Sequence, residues 1–132
     1  NAKDNEGHAF VAFSSDAGKT FGAPIKLDDR SSLGRVDVEF LPDNSVLASW
    51  IEYEDQQAEF RVRRIDRMGK RSSSVLVTPL MSGRASGYPR MALRGDELFF
   101  VWTERDTLDA GGANGTLRVS MATALLPQIV VR

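Results

Sequence analysis

The chain has 132 residues, 17 Lys and Arg against 18 Asp and Glu, and a 42% apolar, 27% charged composition, as in a soluble globular domain and unlike a disordered tail or a membrane protein. Its formal net charge of −1 supplies no attraction for nucleic acid or an anionic membrane. Without Cys and with one His, disulfides, thiolate catalysis and Cys-bound zinc are excluded, a His-built metal site is disfavoured, and no cofactor or metal is implied.

No apolar run approaches the ~20 residues of a membrane span, and no basic-then-apolar leader is present. The chain opens at Asn1, from which it is expected to be a processed product or a piece of something longer.

In chain order, Ala9 to Phe13 reads as a short strand, followed by the turn sequence Ser14-Ser15-Asp16-Ala17-Gly18-Lys19-Thr20-Phe21. Val36, Val38 and Phe40 alternate with polar residues, as in a half-buried strand. The turn Pro42-Asp43-Asn44-Ser45 leads into Val46 to Glu52, a nearly continuous apolar run expected of a strand covered on both faces. Phe60 to Arg63 alternates again, and Val75-Leu76-Val77 is a fourth strand. The order then recurs: Gly87 to Leu93, the turn Arg94-Gly95-Asp96-Glu97, Leu98 to Glu104, and Leu117 to Ser120. Asp106 to Gly115 has oxygen donors but lacks the acidic density of an EF-hand, so it reads as a long hairpin loop. Leu125 to Val131 is a last strand or a closing strap.

These segments form a repeat. Val36, Val38 and Phe40 match Pro89, Met91 and Leu93, and the Trp-x-Glu endings at Trp50 and Trp102 lie 52 residues apart. Phe60-Arg61-Val62-Arg63 corresponds to Leu117-Arg118-Val119-Ser120, and Gly18-Lys19 precedes Gly69-Lys70 by 51. Four short antiparallel strands recurring at about fifty residues are the signature of β-propeller blades. The expected architecture is all-β: a partial β-propeller of about two and a half four-stranded antiparallel blades. Residues 1–30 end one blade, 31–82 make a complete one, and 83–132 make a further one.

Ser14-x-Asp16-x-Gly18-x-Thr20-Phe21 resembles the Asp-box, or BNR repeat, of sialidase-like propellers. Short polar side chains can bond turn amides, Gly tolerates positive φ, and the ring is expected to pack beneath. Asp66 to Ser72 is a degenerate copy without the aromatic. In the family these boxes are structural turns away from the active-site face, so Ser14, Asp16, Gly18, Thr20 and Phe21 identify architecture and not catalysis.

The resemblance implies a central site in which arginines hold a carboxylate, a tyrosine is the nucleophile with a glutamate partner, and an aspartate is the acid/base. Ser86-Gly87-Tyr88 and Trp102-Thr103-Glu104 are similar to a late sialidase segment, which makes Tyr88 the candidate nucleophile and Glu104 its supporting carboxylate. Pro89 and Arg90 depart from the family pattern, and Glu52 occupies the place of Glu104 in the preceding repeat, so the alternatives are a rim aromatic and a repeat feature. Arg61 lies near the place of a triad arginine; its neighbours Arg63, Arg64 and Arg67 give the alternative of a solvated basic face.

Independently, the polar phase of the first strands places Arg35 opposite Tyr88 and Asp37 opposite Arg90. This cluster can bind a sugar or other small anionic ligand, or Asp37 and Arg90 can stitch adjacent blades. His8 reads as an ordinary polar side chain. The functional expectation is carbohydrate handling, with exo-glycosidase activity in the intact parent; the alternative is a non-catalytic glycan- or protein-binding propeller. Implied partners are a glycan and the remaining blades, or self-association, with no nucleic acid and no membrane span. The family resemblance implies a periplasmic or extracellular location.

Overall fold

The computed structural model describes residues 7–54, 57–80, 87–105 and 117–126. The loop 106–115, Ser86 and the segment 127–131 lie outside them. The described chain is all-β, with antiparallel strands in three sheets. The first pairs β1 (Phe10–Val11) with β2 (Ile25–Lys26). The second contains β3 (Ser31–Ser32), β4 (Asp37–Phe40), β5 (Val46–Glu54), β6 (Gln57–Ile65) and β7 (Val75–Leu80). The third runs β8 (Arg90–Arg94), β9 (Glu97–Arg105), β10 (Leu117–Leu125). No described helix is long and apolar enough to cross a membrane.

The second sheet is the middle layer. Period-two alternation sends Leu47 and Ile51 of β5, with Phe60 (opposite Ile51) and Val62 (opposite Ser49) of β6, to one face. There they pack on Met91, Leu98, Phe100 and Trp102 of the third sheet. Phe60 meets the Phe100 ring edge-on, centroids 5.9 Å apart, and lies 6.4 Å from that of Trp102. Val46, Ala48, Trp50 and Ile65 turn to the other face, against Ala9 and Leu27 with Val11, Phe13 and Ile25 at their margin. Burial on both faces is why Val46 to Ile51 is almost uninterruptedly apolar.

β3 and β4 flank β5 on one edge. Ser32 sits opposite Glu52 and Asp37 opposite Ser49, so five residue steps on one strand span three on the other. The two extra residues form a bulge at Gly34 and Arg35, both with positive φ (74° and 56°). Gly87 (φ 59°) takes the same conformation before β8.

Three expectations need correction. Val38 and Phe40, expected half-buried, are 46% and 71% exposed. They face the side of the second sheet where the two-stranded first sheet covers β5 and β6 but leaves β4 open. Phe21 does not pack beneath its turn but is exposed; Phe13 and Ile25 pack at the margin of the core there. The third limbs of the repeat align differently. Arg61 lies opposite Trp50 and Ser120 opposite Trp102, so Phe60 corresponds to Val119 and not to Leu117. A slip of two residues preserves the strand face, which is why the sequence pattern did not reveal it.

Candidate functional site

The segment Ser14 to Thr20 folds as a closed hydrogen-bonded turn. Ser14 Oγ accepts from Gly18 N at 2.8 Å and Asp16 N at 3.3 Å, and donates to Asp16 Oδ1 at 2.8 Å. Asp16 accepts from Thr20 N at 2.9 Å and Thr20 Oγ1 at 2.6 Å. The hydrogen bonds from Thr20, side chain first, and from Ser14 hold the Asp16 carboxyl down at about 2. Ala17 and Gly18 carry the positive φ that the turn requires. In the degenerate copy, Asp66 Oδ1 accepts from Met68 N and Lys70 N, both at 2.9 Å. Asp66 therefore takes the bonding role of Ser14, which sets the turns 66 − 14 = 52 residues apart, the spacing of Trp50 and Trp102.

The bulge before β4 and the matching Gly87 turn before β8 lie at the end of the sheets opposite the turn 41–45. They bring Arg35, Asp37, Tyr88 and Arg90 together. The Arg35 guanidinium carbon sits 5.3 Å from the Tyr88 ring centroid. Asp37 Oδ2 accepts from Met91 N at 3.0 Å and lies 3.5 Å from Arg90 Nε. Asp37 thus bridges the second and third sheets between their edge strands β4 and β8. Pro89 is fully buried between Tyr88 and Arg90 and anchors the segment, while Tyr88 is 77% exposed. A Cβ on Gly87 would fall 2.2 Å from Thr103 Oγ1, so this close approach and the positive φ both call for glycine ahead of Tyr88. The cluster brings together two guanidiniums, one carboxylate and the exposed Tyr88 ring.

Glu104 and Arg61 have other neighbours. Glu104 accepts hydrogen bonds from Ser120 Oγ and Arg118 Nε, which hold its carboxyl below the usual range, and lies 3.5 Å from Trp102 Nε1. Arg61 Nε sits 2.8 Å from Glu59 and 3.2 Å from Glu52, and its Nη1 donates to Ser74 at 2.8 Å. It faces the first sheet from β6, two strands away from β4.

Sequence reasoning missed a charged network between the first and second sheets. Buried Glu52 accepts from Asp29 N at 2.6 Å and Arg30 N at 3.0 Å. Buried Arg63 pairs with Asp29 and lies over the Trp50 ring, 5.2 Å from its centroid. Desolvation raises the Asp29 carboxyl, but hydrogen bonds from Arg63 and Ser74 outweigh it and leave the group below its ordinary value. Buried Asp28 accepts from Ala9 N and lies 3.1 Å from His8 Nδ1 and 3.4 Å from Lys26 Nζ. The charges stood in the sequence, but His8 and Asp28 lie 20 residues apart, Asp29 and Glu52 23, and Asp29 and Arg63 34.

No family model, curated protein or solved structure matches this chain.

Proposed function

We propose that the chain is about two and a half blades of a sialidase-like Asp-box propeller, and that it binds an anionic glycan through Arg35, Tyr88 and Arg90 at the inner edge of two adjoining sheets. The observation that carries the reading is the half-buried Arg35 lying over the exposed Tyr88 ring, beside the Asp37–Arg90 pair. A guanidinium suits a sugar carboxylate, and an exposed aromatic ring suits the apolar face of a pyranose. The hydrogen-bonded Asp-box supports the family resemblance, and a periplasmic or extracellular location belongs to the same reading.

Exo-glycosidase activity of the intact parent is the stronger form of the proposal, with Tyr88 as nucleophile. A phenol nucleophile needs a nearby base. The engagement of Glu104 by Arg118 and Ser120 favours the weaker form, binding without chemistry. A glycan array and turnover of an aryl sialoside separate the two. Retention of sialylated over neutral glycans, weakened at least tenfold by Arg35→Ala or Arg90→Ala, supports binding. Fluorophore release abolished by Tyr88→Phe supports hydrolysis. Binding unchanged in both arginine variants removes these residues from the site.

A further inference from the structure

The edge of the second sheet away from β4 carries a polar cleft. Ile65 pairs with Arg71 and Val62 with Val75, so four residue steps ahead of β7 span three on β6. The extra residue makes a bulge at Ser73 and Ser74, and a bulge re-aims side chains out of the regular ladder. Its start is fixed by the Asp66 to Lys70 turn and by the bond from Ser72 N to Arg64 O at 2.9 Å. Asp29, three residues beyond β2, reaches over to accept from Ser74 Oγ at 2.9 Å and to pair with Arg63. Together Asp29, Arg63, Arg71, Ser72, Ser73 and Ser74 line an open cleft of about 380 Å³. That size lies within the range of about 300–1,000 Å³ common to small-molecule sites.

We propose that this cleft binds a tetrahedral oxyanion, either free phosphate or sulfate or the monoester of one on a sugar-sized group. The lining is rich in donors. Arg71 is exposed and commits Nη1 to Lys26 O at 2.8 Å, which leaves further N–H groups of its planar fork for a ligand. Such a fork matches the oxygens of phosphate and sulfate. Ser73, at the bulge, is exposed and adds a hydroxyl. The Arg63 side chain is only 3% exposed, and its buried Nε has no hydrogen-bond partner among the described residues. A buried donor in that state is costly, and an acceptor entering beside Arg63 offsets the cost. The one carboxylate of the lining, Asp29, already accepts from Arg63 and Ser74, so a cation finds no open ligand there. The cleft stands at the opposite edge of the sheet from Asp37 and does not rest on the glycan reading.

The test is an amide chemical-shift titration of the labelled chain at constant ionic strength. The probes are inorganic phosphate, inorganic sulfate, a hexose monophosphate and the unphosphorylated hexose. Saturable shifts are expected at residues 29, 63 and 71–74 with the anions, and none with the plain hexose. Arg71→Gln and Ser73→Ala change exposed positions and should keep the dispersion of the wild-type spectrum. Both should weaken binding, Arg71→Gln by about tenfold. Arg90→Ala, on the third sheet, should leave the affinity unchanged. A preference for the hexose monophosphate over inorganic phosphate identifies a monoester as the ligand, and equal affinity identifies the free ion. No saturation at millimolar anion, shifts centred elsewhere, or an affinity unaltered in Arg71→Gln overturns the proposal.

Discussion

Against the third sheet, the second presents Leu47, Ile51, Phe60 and Val62, all closed off from solvent. Against the first it presents Val46, Ala48, Trp50 and Ile65 together with buried Glu52 and Arg63. The first contact is apolar and its free energy scales with the area removed from water. The second joins a two-stranded sheet, and polar contacts from Asp29 and Arg30 to Arg63 and Glu52 accompany it. The difference teaches where the fold is sensitive to packing and where it is sensitive to ionisation.

The largest expected effect comes from emptying the apolar contact. Phe60→Ala removes a ring that touches both Phe100 and Trp102, and should cost about 3–5 kcal/mol in denaturant unfolding. Amide exchange should accelerate in both the second and third sheets. A cost below 1 kcal/mol would show that the ring does not join them.

A smaller effect is expected on the other face. Glu52→Gln removes the charge that faces Arg61 and weakens the acceptor for Asp29 N and Arg30 N, costing about 1–3 kcal/mol. Exchange should accelerate in β1, β2 and the segment 27–32 while β8 to β10 stay protected. Equal acceleration throughout would erase the contrast between the two faces.

The smallest effect is a pH dependence. Asp16 and Asp29 have folded-state carboxyl values below their ordinary ones, so more protons bind when the chain unfolds. Their stabilising contribution is present above an ordinary Asp value of about 3.9 and is lost as pH falls through the folded value, about 2 for Asp16. Asp16→Asn should flatten the melting profile between pH about 4 and about 2. An unchanged slope would mean that the turn tolerates a protonated Asp16.

Much of this organisation was legible in the sequence because it is periodic. The double-sided burial of Val46 to Ile51, the paired tryptophans and the turn from Ser14 to Thr20 all follow from residue type and spacing. The Asp37–Arg90 pair and the Arg35–Tyr88 stack follow from the phase of two first strands set side by side. What was not legible depends on contacts between sheets. Exposure of Val38 and Phe40 reflects the narrowness of the neighbouring sheet, which a strand's own alternation does not encode. The Glu52 network joins residues whose separation along the chain follows no strand or turn period.

The most direct test of the central claim is a titration of the isotopically labelled protein with a sialylated oligosaccharide, followed by amide chemical shifts. Saturable shifts are expected, centred on residues 34–37 and 87–91, lost in Arg90→Ala and absent with the desialylated sugar. Shifts confined to other surfaces, or none at millimolar ligand, would contradict it.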